Sequence, residues 1–275
     1  MDDYLKAILL GVVQALTEFL PISSSGHLVV APEIIGDDVS SLTFDVGLHL
    51  GTMVAVVVYF WRDWIEIIVS GVRDLSRHRW DVAKWEWPSK LGLWIALGTV
   101  PAVIIGLLFK DRIDQQLREP EVVGVALILG GILLGLVDRW GATIGRITDM
   151  TPGRSFAIGC AQAVALIPGV SRSGATIGMG RVLGYSRVSA ARFSFLLSAP
   201  VVLGAGVLQL GDALGGSEDV SWGPLLLGAL TAAVVGALVI RFLLAFLESR
   251  TLRLFVWYRI ALGLAILGAV AFGAF

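Results

Sequence analysis

The sequence predicts an all-α, polytopic membrane protein with six transmembrane helices and two re-entrant helical hairpins, arranged as an inverted-topology repeat. Three observations carry that expectation. Apolar residues make up 56% of the 275 residues and mean hydropathy is +0.82, with several runs near the ~20 residues that cross a bilayer. Two polar strings interrupt this apolar background, and they are copies of each other. Sliding the chain by 148 positions superposes Gly11 on Gly159, Gln14 on Gln162, Ala15 on Ala163, Ser23 on Ser171, Ser25 on Ser173 and Gly26 on Gly174. Finally, lysine and arginine are distributed unevenly among the connections.

Taken in order, residues 5–20 form an apolar helix that must stop at Pro21, because proline has no N–H to give the preceding turn. Residues 42–61 are the first span and carry only Asp45 and His49, one helical turn apart, which line a cavity or cap the outer end. Spans 91–109 and 122–137 follow without a charge. Residues 155–180 hold the second polar string, with the helix breakers Pro168 and Gly169 at its centre. Spans 193–211 and 222–240 are also free of charge, and 254–275 carries only Arg259, which is expected to snorkel to the interface or meet lipid headgroups. Trp61, Trp64, Trp94, Trp140, Trp222 and Trp257 fall near span ends, as interfacial belts do.

Connection charges assign sides. The stretches 62–90, 139–154, 181–192 and 241–259 hold six, three, three and four basic residues, against none in 21–41 and 212–221. In 110–121, three basic residues are diluted by four acidic ones. The first group belongs in the cytoplasm, because basic residues near span ends favour that side. Both connections flanking 155–180 are then cytoplasmic, so this segment enters and returns, and 5–20 is by analogy the arm of a hairpin entering from outside. Irregular backbone at membrane depth is tolerated where protein covers it or where it lines a wet cavity. One integral membrane domain follows, with inverted repeats of about 1–138 and 150–275 and both termini outside. Such repeats place a site at their interface.

Other features narrow the function classes. The residues at Met1 lack the basic start of a cleavable signal peptide, so none is expected. A single cysteine, Cys160, excludes an intrachain disulfide and a cysteine-rich zinc site. A net charge of −1 says nothing about partners, its distribution says more, and no nucleic-acid partner is expected.

The strings contain the groups able to do chemistry. Gln14 and Glu18 share one helix face. A carboxylate inside an apolar helix must be paired, metal-bound or protonated, so Glu18 either holds a divalent cation through hard oxygen ligation or acts as a base. Ser23, Ser24 and Ser25 precede His27, and a serine becomes a nucleophile when a base stands nearby. The same serines could merely cap the next helix. In the second string Arg172 needs an anion, which Glu18 or a phosphate can provide. With Ser171, Ser173, Thr176 and a following helix N-terminus it forms a phosphate cradle.

Glu18-Phe-Leu-Pro21-Ile-Ser23-Ser24-Ser25-Gly26-His27, followed far along the chain by Pro168-Gly169-Val170-Ser171-Arg172-Ser173-Gly174-Ala175-Thr176, resembles the undecaprenyl-diphosphate phosphatase family of bacitracin-resistance proteins. The resemblance spans essentially the whole chain. It implies hydrolysis of undecaprenyl diphosphate to the monophosphate and free phosphate. That reaction recycles the lipid carrier of peptidoglycan synthesis in the bacterial cell membrane, from a site opening to the extracytoplasmic side. By position it makes Ser24 the nucleophile, His27 an acid/base and Glu18 the residue that organises a magnesium or calcium ion or acts as base. Arg172, with Ser23, Ser25, Ser171, Ser173 and Thr176, would bind the diphosphate. A homodimer is compatible with it. The chain departs from the family where Gln14 stands at a position that often holds glutamate; an amide can ligate a cation but cannot be a base. A polyprenyl-phosphate flippase is the alternative, since broken helices in inverted repeats also build transporters.

Overall fold

The computed structural model describes residues 2–27, 42–117, 119–141, 144–215 and 221–273. The 21–41 connection, apart from its first residues, lies outside the described residues. Among the described residues the α-helices are α1 (Asp3–Phe19), α2 (Leu42–Tyr59), α3 (Trp61–His78), α4 (Trp87–Gln116), α5 (Pro120–Trp140), α6 (Pro152–Val164), α7 (Arg172–Val182), α8 (Arg187–Gly215), α9 (Trp222–Ser249) and α10 (Arg253–Ala271). No strand is present among the described residues; one isolated bridge joins Gly145 to Tyr185.

Among the described residues five helices are long and apolar enough to cross a membrane, within α4, α5, α8, α9 and α10, and α2 passes the same test only together with α3, from which it is bent by 71°. The chain is a multi-pass membrane protein. Its lipid-facing surface carries large apolar side chains, among them Leu107, Leu108, Leu133, Leu226 and Leu238. A mixed core of α2, α8 and α9 side chains, including Phe60, Phe193, Phe195 and Ile240, fills the centre.

The bent helix α3 is a feature that the charge count treated as a basic connection. Ile65, Ile68, Val69, Val72 and Leu75 recur at helical spacing and are exposed, while Ser70 and Asp74 turn inward. An apolar stripe on a helix otherwise rich in charge suits a position in the plane of the interface. Asp63 near its start pairs with Arg192 of α8 at 2.6 Å, and Asp74 near its end accepts from the Glu86 amide and the Ser89 hydroxyl at 2.7 and 2.6 Å.

The helices that carry the polar strings are short. At about 1.5 Å per residue the 13 residues of α6 and the 11 of α7 reach roughly 20 and 16 Å, short of a hydrocarbon core of about 30 Å. Each string's leading helix lies backbone to backbone against a span. On Gly11 of α1 a Cβ would lie 2.6 Å from the Gly228 carbonyl oxygen of α9, and on Gly159 of α6 it would lie 2.2 Å from that of Gly98 in α4. The two superposed glycines are therefore equivalent contacts: α1 on α9, and α6 on α4.

On the side where the basic connections gather, Asp138 is buried and ties three segments together. It accepts from Arg187 Nε at 2.6 Å and the Leu252 amide at 2.9 Å, with Arg181 Nε at 3.4 Å.

Candidate active site

The two breaks share a serine in the left-handed region. After α1, Leu20 closes the last helical hydrogen bond onto Leu16, Pro21 prevents another, and Ser23 takes a left-handed φ of 75° before helix resumes at Ser24. After α6, tight turns run to Pro168, Gly169 adopts φ 90°, and Ser171 takes φ 69°. A side chain at Gly169 would be strained by that φ and would meet the Val123 carbonyl oxygen at 2.5 Å, so the sequence needs glycine there. Ser171 caps α7 by accepting from the Gly174 amide at 3.1 Å.

The tips touch. Gly169 N–H donates to Ser25 Oγ at 2.9 Å, and Ser173 Oγ donates to the Leu20 carbonyl at 3.1 Å. Ser23 and Ser25 hydroxyls lie 3.0 Å apart, and those of Ser171 and Ser173 lie 3.3 Å apart. Each break thus holds itself and its counterpart through hydroxyls.

Glu18 is the centre of what they enclose. Its Oε1 receives Arg172 Nη2 at 2.9 Å. Its Oε2 receives Ser24 Oγ at 3.0 Å and Gln14 Nε2 at 3.3 Å, with His49 Nε2 at 3.9 Å. The carboxylate is buried, and a charge in that position is tolerated because cation and hydrogen-bond donors surround it. Arg172 leaves Nη1 buried without a partner among the described residues.

The structure brings together Gln14, Glu18, Ser24 and Arg172. His27 stands in the same loop, but its nitrogens point elsewhere: Nδ1 donates to the Ser23 carbonyl at 2.8 Å and Nε2 meets Tyr258 Oη at 2.6 Å. Ser24 is bonded to Glu18 rather than to the imidazole. Thr176 is fully buried; its hydroxyl is bonded to the Arg172 carbonyl at 2.7 Å and to Ser194 at 2.6 Å, so it supports the loop from behind. Ser23, Ser171 and Ser173 are also buried and hold the loop turns.

Two further groups enter the site. His49, one of two polar residues noted in the first span, approaches Glu18 as a cavity-lining residue does. Arg259 corrects the expectation that it snorkels. It is fully buried, and Nη2 donates to the carbonyls of Gly169 and Val170 at 3.1 and 2.8 Å. Backbone carbonyls exposed by the broken helix give this guanidinium partners inside the protein, so it has no need to reach the headgroups.

Metal ligation can be judged from the donors. Among the described residues no three His, Cys, Asp or Glu side chains gather as a metal site. The hard oxygen donors beside Glu18 are the Ser24 hydroxyl and the Gln14 amide oxygen, whose nitrogen is the end turned on Glu18. That set fits magnesium or calcium when phosphate oxygens complete it, and does not fit a softer metal.

The two broken-helix loops thus hold a buried ion pair, Glu18 with Arg172, among helices long and apolar enough to cross a membrane. Residues 7–265 match the family model described as Bacitracin resistance protein BacA, and the chain belongs to that family. It is 43% identical over 262 residues to an undecaprenyl-diphosphatase of Desulforudis audaxviator, covering 95% of this chain and 96% of the relative. Similar proteins of the same description occur in Rubrobacter xylanophilus, at 46% over 267 residues, and Trichlorobacter lovleyi, at 44% over 275 residues. Those alignments cover 95% and 96%, and 98% and 98%, of this chain and of the relative.

Proposed function

We propose that this protein is an undecaprenyl-diphosphate phosphatase, and that one observation carries the site assignment. The Glu18 carboxylate is bonded at once by the Ser24 hydroxyl of the first loop and the Arg172 guanidinium of the second. The first contact is the geometry of a base beside a nucleophile, and the second is that of a phosphate-binding cation resting on an internal anion.

When a diphosphate enters, Arg172 moves its unpaired Nη1 and then Nη2 to phosphate oxygens, and Glu18 is released to take the Ser24 proton. Ser24 Oγ attacks the terminal phosphorus as the bond to the bridging oxygen breaks, and the monophosphate lipid leaves. Water then attacks the phosphoserine, giving its proton to a base, and inorganic phosphate and the free serine result. Charge stabilisation of the transferring group is the dominant contribution, and Arg172 supplies it from a dry site. Glu18, Gln14 and Ser24 would hold a divalent cation, which when bound neutralises phosphate charge. Glu18 and Arg172 cancel at rest, which leaves an incoming dianion otherwise under-compensated. His27, on the same loop, has both ring nitrogens engaged by Ser23 and Tyr258, and the monophosphate can leave as its anion without an acid.

An apolar groove of about 680 Å³ between α4 and α6 is lined by Val100, Ile104, Phe156, Ala163, Leu166 and Ile167. It ends at the residues that lead into the phosphate-binding loop, and we assign it to the polyprenyl tail. We also propose that the two halves are inverted repeats with both termini and the site mouth extracytoplasmic; the paired glycine contacts and the basic cluster around Asp138 support this. The function is tested with purified protein in detergent, where undecaprenyl diphosphate should release one phosphate and the monophosphate none. No release from the diphosphate would overturn it.

A further inference from the structure

Tyr258 and Arg259 are neighbours on α10, yet they reach different loops. The Tyr258 ring stacks on His27 with centroids 5.6 Å apart and planes within 7°. The Ser23 carbonyl can only accept, so His27 Nδ1 carries a proton; the bare Nε2 of the neutral ring then accepts the Tyr258 O–H. Arg259 clamps the Gly169 and Val170 carbonyls, immediately before Ser171 and Arg172. Space has been left for it: a Cβ on Gly130 would lie 2.2 Å from its Nη2, and one on Gly174 would lie 2.6 Å from its Nη1.

These bonds close a ring. Tyr258 holds His27, His27 holds the Ser23 carbonyl, the Ser23 hydroxyl meets Ser25, Ser25 accepts from the Gly169 amide, and the Gly169 carbonyl returns to Arg259. Both left-handed serines lie in or beside this ring. A buried guanidinium bonded to two backbone carbonyls is a costly device for stability alone, since an apolar side chain would pack in its place. Its cost is understandable if loop geometry is what must be kept.

We propose that Tyr258 and Arg259 are positioning residues for phosphoryl transfer, with α10 acting as the common support that fixes the first loop through His27 and the second through Gly169 and Val170. The inference rests on the phosphatase site proposed above. Neither residue needs to touch the diphosphate. Displacing either loop by a fraction of an ångström misaligns Ser24 with the phosphorus that Arg172 holds, which lowers turnover more than binding.

Full-length Arg259→Met, Arg259→Lys and Tyr258→Phe proteins, with Glu18→Gln beside them, would be assayed for phosphate release from undecaprenyl diphosphate and for thermal midpoint in detergent. Arg259→Met should lower kcat at least about tenfold with KM within about twofold, and Arg259→Lys should recover part of the loss. Tyr258→Phe keeps the stacked ring and loses only the hydroxyl. It should lower kcat by about threefold to tenfold with an unchanged midpoint, and it decides the matter if the Arg259 variants do not fold. Full kcat in Tyr258→Phe and Arg259→Met overturns the positioning role, as does a rise in KM alone, which would make Arg259 a phosphate ligand. An active Glu18→Gln would instead remove the site on which the inference rests.

Discussion

The two breaks share a backbone and divide the chemistry. Ser23 and Ser171, superposed by the repeat, both take a left-handed turn, and each reaches a second serine two residues on. The difference lies in three other superposed pairs. Glu18 faces Leu166, Ser24 faces Arg172, and His27 faces Ala175. The first copy therefore holds carboxylate, hydroxyl and imidazole, and the second holds a cation. Gln14 and Gln162 make the same point. Gln14 finds Glu18 one turn away, whereas Gln162 has Leu166 there, and both of its buried amide atoms are without a partner among the described residues. The duplicated break supplies a scaffold for oxygen and nitrogen atoms, and a few side chains decide what each half contributes.

That division can be broken in graded steps. The largest losses are expected at the ion pair: Glu18→Gln and Arg172→Ala should each reduce phosphate release by about a thousandfold or more, measured by steady-state assay. Next come the serines. Ser24→Ala removes the proposed nucleophile and should cost about a hundredfold or more, while Ser25→Ala loses the acceptor for the Gly169 amide and the contact with the Ser23 hydroxyl and should cost about tenfold or less. Equal effects would refute the assignment. Smaller effects belong to stability. Gly159→Ala and Gly11→Ala each drive a methyl into a facing carbonyl and should destabilise by about 1–3 kcal/mol in thermal or denaturant unfolding, with Gly159→Ala the worse. The smallest is Gln162→Leu, which removes an unpaired buried amide. It should be neutral or stabilising by up to about 1 kcal/mol with activity retained, whereas Gln14→Leu should impair catalysis.

Much of this was legible in the chain, because span lengths, connection charges and a gapless repeat are local signals. The pairing of Glu18 with Arg172 could be read from chemistry alone, since each needs the other or a ligand. Arg259 could not. Its partners are backbone carbonyls about ninety residues earlier, freed only because Pro168 and Gly169 keep the chain from continuing α6. The Tyr258 contact with His27 is more distant still, 231 residues apart in sequence, and tyrosine near a span end reads as an interfacial residue. His27 beside Ser24 suggested a serine–histidine pair, but the helix that resumes at Ser24 carries the imidazole around to Ser23 and Tyr258. Helix α3 was concealed by its charges, which read as a connection although the apolar residues between them keep helical spacing.

The end of α3, beside the connection to α4, adds one pH effect. Asp74 lies outside the spans, and its hydrogen bonds from Ser89 and Glu86 hold its carboxyl below the usual carboxylate range. Its contribution to stability is therefore present above that range and is lost as pH falls through the lowered value, a loss that Asp74→Asn should remove from an unfolding series in acid.

The central claim is that both loops form one site around Glu18. A double-substitution cycle between Glu18→Gln and Arg172→Ala, read as phosphate release from undecaprenyl diphosphate, tests it most directly. Groups acting as one unit should lose no more together than the worse single variant, within about threefold. Losses that multiply would place the two residues in separate roles and contradict the account.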